Sequence, residues 1–143
     1  MKLTKHEHAC VVLEKDGASI VIDPGSFSSG AAEIIAGADA ILITHEHMDH
    51  VNEAAITGAL AARPDLRVYA PAPLGAMLAA HQDQFTPVAA GDELDLGPFA
   101  ITVHGSQHAR SFLLCPAQTV THHTIDEIAA SGRNDKRAHK NKE

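Results

Sequence analysis

The sequence predicts an α/β fold built on a mixed β-sheet with flanking helices, and three observations support this class. Apolar runs of strand length, rich in Val, Ile and Leu, recur between residues 2 and 104. Gly and Pro separate them at turn positions. Segments with capping residues and helical length lie between several of them. An opening hairpin followed by alternating strands and helices fits one αβ half of an αββα sandwich.

The chain opens with a predicted β-hairpin. Residues 2–5 and 9–14 are predicted strands, and residues 19–22 form the returning strand. Asp16-Gly17 marks the tight turn, because both residue types tolerate the positive φ that such turns need. The returning strand ends at Asp23-Pro24-Gly25, which is typical of a turn.

Helices and strands alternate after the hairpin. A short helix over residues 31–36 should end at Gly37, and a buried strand over residues 38–44 follows. Asn52 can cap a helix that runs to about residue 62, where Pro64 stops it. The remaining predicted elements are strands at 66–70, 84–89, 94–96 and 99–104 and a helix at 73–80.

Composition limits the classes of function. The chain has 143 residues, of which 45% are hydrophobic, so it can bury the core of one domain. Its net charge of −7 argues against a general affinity for nucleic acid, although residues 133–143 are basic. The aromatic content of 3% leaves little surface for stacking on bases. We therefore expect a small-molecule substrate as the partner, and no nucleic acid.

The low cysteine content and the absence of long apolar runs indicate where the protein is located. Cys10 and Cys115 are too few to indicate a disulfide framework, and Cys10 lies in an apolar run that is typical of the core. The N-terminal residues lack the apolar stretch of a signal peptide. No apolar run approaches the length that spans a bilayer. The sequence therefore predicts a cytoplasmic protein that is not bound to a membrane.

The most informative segment is the loop between the strand at 38–44 and the helix that begins after Asn52. Residues 44–50 read T-H-E-H-M-D-H. His45 and His47 alternate and can converge on one ion, while Asp49 and His50 can reach a second. Imidazole and carboxylate suit Zn²⁺, Mn²⁺ or Fe, and three protein ligands plus a water molecule is the catalytic zinc pattern. The sequence therefore predicts a site for one or two metal ions.

This H-x-H-x-D-H motif after an apolar strand resembles the metallo-β-lactamase superfamily of metal-dependent hydrolases. V-I-D-P-G at residues 21–25 is similar to the family's early strand, and G-S-Q-H-A at residues 105–109 lies where its next metal-binding His is expected. The opening residues 2–10 look like the start of the ascorbate-phosphate lactonase branch. The resemblance covers residues 1–110 and implies the N-terminal half of the metallo-β-lactamase αββα sandwich.

The resemblance also implies roles for the ligand-type residues. His45, His47 and His108 would hold the first metal, and Asp49 and His50 would contribute to the second. A bound cation lowers the pKa of water to about 7 and polarises the attacked carbonyl or phosphoryl oxygen. Asp49 would orient that water and accept its proton. The implied activity is hydrolysis of an ester, a lactone or a phosphoester.

Other candidate residues admit two interpretations. Asp23 is either a turn former or, as the resemblance favours, a support that hydrogen-bonds the metal ligands. His8 is either a pocket residue near the metals or an ordinary strand histidine. His104 is expected to be structural, and Glu46 is expected to point away from the ligands because it alternates with them.

The chain departs from the family pattern after His108. The family continues to an Asp that bridges both metals and to a final His, and neither is apparent here. His122-His123 is interpreted as part of a polar tail, and residues 111–143 as a divergent, partly disordered region. We therefore expect a truncated hydrolase. The alternative is a non-catalytic metal-binding fragment, or a half-domain that needs a partner and can self-associate through its bare sheet face.

Overall fold

Nine strands form two sheets in the part of the chain that the structure, a computed structural model, describes, namely residues 1–105 and 122–124. The strands are β1 (Lys2–Lys5), β2 (Val11–Lys15), β3 (Ala18–Ile22), β4 (Ala40–Leu42), β5 (Arg67–Ala70), β6 (Phe85–Pro87), β7 (Glu93–Leu96), β8 (Phe99–His104) and β9 (His122–Thr124). The first sheet has the order β1-β2-β3-β4-β5-β6 and the second β7-β8-β9. The α-helices of this part are α1 (Ala31–Ala36) and α2 (Glu53–Ala62).

The six-stranded sheet is mixed, as the sequence predicts. Strands β1, β2 and β3 pair antiparallel, while β3, β4, β5 and β6 pair parallel. The β2–β3 turn has positive φ at both Asp16 (50°) and Gly17 (84°), which confirms the predicted tight hairpin. Helix α1 ends at Gly37 as expected, and the Asn52 side chain caps α2 by accepting from the Ala55 N–H at 3.1 Å.

The layers follow from the alternation of side chains along the central strands. In β4 and just beyond it, Ile41 and Ile43 face a core cluster that includes Ile35 of α1 and Ile56 of α2. Leu42 faces the other cluster. That second cluster joins the two sheets and contains Leu13, Ile20, Ala40, Leu42, Phe99 and Ile101. Because β4 is buried on both faces, its sequence is apolar throughout, and the layer order is helices, mixed sheet, second sheet.

The predicted helix at residues 73–80 is wrong. The structure has two short 3₁₀ turns instead, Ala72–Gly75 and Ala79–His81. The Leu74 N–H donates to the Pro71 carbonyl, three residues back, at 3.0 Å. A Cβ on Gly75 would come within 3.1 Å of the Phe85 ring, so the connection is packed tightly against β6. This close packing, which the local sequence does not report, favours tight turns over a regular helix.

Residues 122–124 contribute a strand. The sequence favoured a polar tail for His122 and His123, whereas the structure pairs β9 antiparallel with β8, with His122 opposite His104. The region 111–143, interpreted from the sequence as divergent and partly disordered, therefore includes at least this paired segment. Its other residues lie outside the described part of the chain.

Cys10 is buried in the helix-side core, as the sequence predicts, and its chemistry can be tested. Burial raises the pKa of its thiol, against a smaller opposing effect of the hydrogen bond with Ser28. We expect native Cys10, in a Cys115→Ser background, to react with a disulfide reagent at least about tenfold more slowly than in urea, because the thiolate is the nucleophile. Equal rates in native buffer and in urea would contradict this placement.

Candidate metal centre

The parallel pairing of β3 and β4 brings two loops to one edge of the sheet. Both strands end there, β3 before Asp23 and β4 before the motif loop. The Asp23 N–H donates to the Leu42 carbonyl at 3.0 Å, and the Ile43 N–H donates to the Tyr69 carbonyl at 2.9 Å. Binding sites of open α/β sheets form at this carboxyl edge. The topology therefore places the turn residue and the histidine motif side by side.

The side chains of the motif converge into two groups that share Asp49. One group contains His45, His47 and Asp49, and the other contains His8, Asp49 and His50. Within each group the potential ligand atoms all lie within 4.8 Å of one another. Atoms that ligate one Zn²⁺ at about 2.1 Å are roughly 3–4 Å apart, so little movement would close either group on an ion.

The Asp23 carboxylate hydrogen-bonds to the loop that carries the histidine motif. The residue is 4% exposed, and its carboxylate accepts the Thr44 N–H at 2.8 Å and the Thr44 hydroxyl at 2.7 Å. The same carboxylate lies 2.7 Å from Nδ1 of His50. With Nδ1 donating to Asp23, the neutral His50 ring carries no proton on Nε2, which lies 3.5 Å from the Asp49 carboxylate. Asp23 therefore hydrogen-bonds both Thr44 and His50 in addition to its place in the turn.

The charges in the site favour an ionised Asp49. Burial raises the pKa of Asp49, but the hydrogen bond from His8 and the positive charge on His50 outweigh it, and the net pKa is lowered. For His50, burial lowers the pKa, yet the hydrogen bond and charge of Asp23, with the charge of Asp49, raise it overall. The carboxylate is therefore available as a ligand or base, while a proton competes with any metal for His50.

His8 lies beside the candidate ligands Asp49 and His50 and not in a regular strand. It lies between β1 and β2 with φ of 53°, and its Nε2 is 2.8 Å from Oδ2 of Asp49. The Lys5 ammonium donates to the His6 and His8 carbonyls. The Glu7 carboxylate accepts the Ser29 N–H at 2.7 Å, which ties the His8 loop to the loop after Asp23. These contacts fix His8 beside Asp49 from outside the motif.

Gly25 lets the two loops touch. A Cβ at this position would lie 1.8 Å from the Asp49 carbonyl oxygen and 2.6 Å from the His50 nitrogen. Two hydrogen bonds clamp the loops on either side, from the Ser26 N–H to the Met48 carbonyl at 2.8 Å and from the Asn52 N–H to the Pro24 carbonyl at 3.1 Å. Only a residue without a side chain permits this approach.

The other candidate residues have different outcomes. His108 lies outside the described residues. His104 ends β8 and is exposed. Glu46 was expected to point away from the ligands; its Oε2 is buried, and within the described part of the chain it has no hydrogen-bond partner.

Sequence reasoning missed two contributors to the site. Thr44 joins Asp23 to the first ligand, because its hydroxyl also lies 2.9 Å from Nδ1 of His45. Gly25 was interpreted only as part of a turn. The sequence signal for both residues was their closeness to a candidate residue. Thr44 directly precedes His45, and Gly25 follows Asp23 by two positions.

The chain matches the family model described as "Beta-lactamase superfamily domain" over residues 2–130. It belongs to this superfamily. The match extends beyond residue 110, where the resemblance recognised from motifs ends. Among the described residues, none of the helices combines the length and apolar character that a bilayer crossing requires.

Similar proteins agree with this membership. Protein Rv0786c of Mycobacterium tuberculosis is 36% identical over 109 residues, covering 76% of this chain and 50% of that protein. A protein named UPF0173 metal-dependent hydrolase, from Anoxybacillus flavithermus, is 35% identical over 115 residues, covering 76% of this chain and 50% of that protein. The chain thus spans about half the length of these relatives.

Solved structures show the same fold at low identity. The diiron β-hydroxylase CmlA from Streptomyces venezuelae superposes with a TM-score of 0.64 at 22% identity, covering 87% of this chain and 27% of CmlA. An isothiocyanate hydrolase from Delia radicum gut bacteria superposes with a TM-score of 0.57 at 23% identity, covering 87% of this chain and 59% of that protein. The likeness establishes the metallo-β-lactamase fold.

Proposed function

We propose that this chain carries the metal site of a hydrolase that cleaves an ester, lactone or phosphoester bond of a small molecule with water. The observation that carries the proposal is the convergence of His8, His45, His47, Asp49 and His50 at one sheet edge, with Asp49 common to both groups. Relatives that bear the name metal-dependent hydrolase support it.

The donor set fits a divalent metal. Imidazole nitrogens and a carboxylate suit Zn²⁺, Mn²⁺ or Fe, and they do not select among these. His45 and His47, with His108, would hold the first ion, and Asp49 with His50 would hold the second. When bound, such an ion lowers the pKa of water to about 7 and polarises the substrate oxygen.

Side chains of the protein would orient the attacking water and accept its proton. Asp49, kept ionised by His8 and His50, orients the attacking water and accepts its proton. His8 holds the Asp49 carboxylate through their 2.8 Å hydrogen bond. Asp23 keeps the His50 ring in the tautomer that presents Nε2 to the site.

The substrate class rests on resemblance and charge. The opening segment similar to the ascorbate-phosphate lactonase branch favours a sugar lactone or a phosphoester. The net charge of −7 argues against a polyanion such as nucleic acid. We therefore propose a small-molecule substrate, and we propose a cytoplasmic location on the grounds of the sequence alone.

Metal analysis tests the site. Purified wild-type chain, dialysed against Zn²⁺ or Mn²⁺, should retain about one tightly bound ion, since three protein ligands suffice for a mononuclear site. The double change His45→Ala and His47→Ala, and separately His108→Ala, should lower the retained metal at least about tenfold.

His81→Ala is the matched control, because His81 bonds Gln84 in a 3₁₀ turn of the β5–β6 connection, outside both ligand groups. Equal metal in wild type and the double variant would refute the site. Retained metal without turnover of any ester, lactone or phosphoester would favour the non-catalytic alternative.

A further inference from the structure

Two exposed apolar residues lie on the loops that carry or adjoin the proposed metal site. Phe27 is 58% exposed and Met48 is 65% exposed. The other large hydrophobic side chains exposed in the described part of the chain, Met1 and Leu3, lie at the N-terminus and in β1. Single exposed apolar residues are ordinary. A pair on two loops that meet beside a ligand cluster is a surface that a ligand can use.

Contacts connect Phe27 to the reacting groups. Its ring packs edge-on against the His8 ring, with centroids 5.6 Å apart and planes at 78°. His8 in turn lies 2.8 Å from the Asp49 carboxylate. One side chain therefore separates the Phe27 ring from the residue that both ligand groups share.

Met48 lies on the facing loop, directly before Asp49 in the sequence. The loops of Phe27 and Met48 are joined where the Ser26 N–H donates to the Met48 carbonyl at 2.8 Å. Phe supplies a rigid apolar face, and Met adapts to differently shaped groups. The two residues thus provide an apolar border next to a polar centre.

We propose that Phe27 and Met48 form an apolar lip that binds an alkyl or aryl substituent next to the bond that is hydrolysed. The proposal rests on the proposed function and narrows its substrate class to esters, lactones or phosphoesters with an apolar group beside the scissile bond, which excludes an unsubstituted sugar lactone. Covering that group removes apolar area from water, and it orients the polar end toward Asp49. Phe27 and Met48 act as specificity-determining residues.

A set of simple esters tests the preference. Proton release from methyl acetate, hexyl acetate and methyl hexanoate gives kcat/KM for each with the zinc-loaded full chain. Wild type should hydrolyse hexyl acetate or methyl hexanoate with a kcat/KM about tenfold above that for methyl acetate. A closed pocket would give a larger preference, because an open lip covers only one side of the ester's alkyl group.

Three variants separate the lip from a general apolar surface. Phe27→Ser and Met48→Ser should each lower that preference by about threefold or more, since each removes part of the apolar contact. Leu3→Ser is the matched control, because Leu3 is 60% exposed in β1 and should leave the ratio unchanged. All three positions are exposed, so circular dichroism should show the same melting temperature.

A binding measurement makes the lip testable without turnover. The chain has three methionines, and ¹³C-methyl labelling gives each a resonance. Titration with 1-hexanol, and not with methanol, should shift the Met48 methyl saturably and leave that of Met77 in place, and Phe27→Ser should weaken the shift. If no ester, lactone or phosphoester is hydrolysed, the proposed function fails, while this titration still decides whether the lip binds an alkyl group.

Three outcomes would overturn the proposal. They are an ester preference that Phe27→Ser and Met48→Ser leave intact, a Met48 methyl that 1-hexanol does not shift, and self-association in sedimentation that Phe27→Ser abolishes. The last would mean that a second copy of the chain, rather than substrate, covers these side chains.

Discussion

Replacing Gly25 by Ala should remove tight metal binding and destabilise the chain by about 3 kcal/mol, the upper range for overpacking. The added Cβ would lie 1.8 Å from the Asp49 carbonyl oxygen and 2.2 Å from its carbon. Both are backbone atoms, so no side-chain rotation can relieve the overlap. The loop that carries Asp49 and His50 must move, and the ligands move with it.

Gly58→Ala is the matched control for this change. Gly58 lies within α2, and a Cβ there would meet nothing within 4 Å. The substitution should stabilise the chain by about 0.5–1 kcal/mol through helix propensity and leave metal binding unchanged. Urea unfolding gives the stabilities, and metal content after dialysis gives the binding. A Gly25→Ala protein with wild-type values of both would show that the close approach is not required.

The elements that the sequence predicted are those with local signals. The hairpin turn follows from Asp16-Gly17, the end of α1 from Gly37 and the start of α2 from Asn52, because each residue acts on its own neighbours. The strand at residues 38–44 is shorter in the structure, as β4 covers Ala40–Leu42, yet its burial on both faces was readable from its apolar run.

The features that the sequence did not predict depend on contacts between distant segments. A helix was predicted over residues 73–80, but packing of Gly75 against Phe85 favours two 3₁₀ turns. His8 could not be placed without knowing that the β1–β2 loop reaches Asp49, which is 41 residues away in sequence. The motif thus predicts candidate metal ligands, and this stays a prediction, whereas the contacts that these side chains make with distant segments required the fold.

The conservative variant Asp23→Asn tests whether Asp23 sets the tautomers of the candidate ligands His45 and His50. Asp23 accepts from the Thr44 hydroxyl, which leaves the Thr44 oxygen to accept from Nδ1 of His45, and it accepts directly from Nδ1 of His50. Both rings then carry their proton on Nδ1 and keep Nε2 for a metal. In Asp23→Asn the amide NH₂ donates instead, so the rings would carry their protons on Nε2.

Asp23→Asn should therefore fold and yet bind metal about 10–100-fold more weakly, the usual cost of losing a residue that orients a ligand. Asn also tolerates the positive φ of 49° at this position. Asp23→Ala should lose about 3–5 kcal/mol as well, because it leaves the buried donors of Thr44 and His50 without their acceptor.

Asp39→Asn is the control, because Asp39 is exposed just before β4 and its carboxylate accepts the Ser19 N–H at 2.8 Å, outside both ligand groups. It should change stability by no more than about 1 kcal/mol and leave metal affinity unchanged. Nitrogen-15 NMR of the histidine rings in the metal-free protein reads the tautomer directly. An Asp23→Asn protein that binds metal as tightly as wild type, with the His50 proton still on Nδ1, would show that Asp23 serves the turn and the fold rather than the orientation of the ligands.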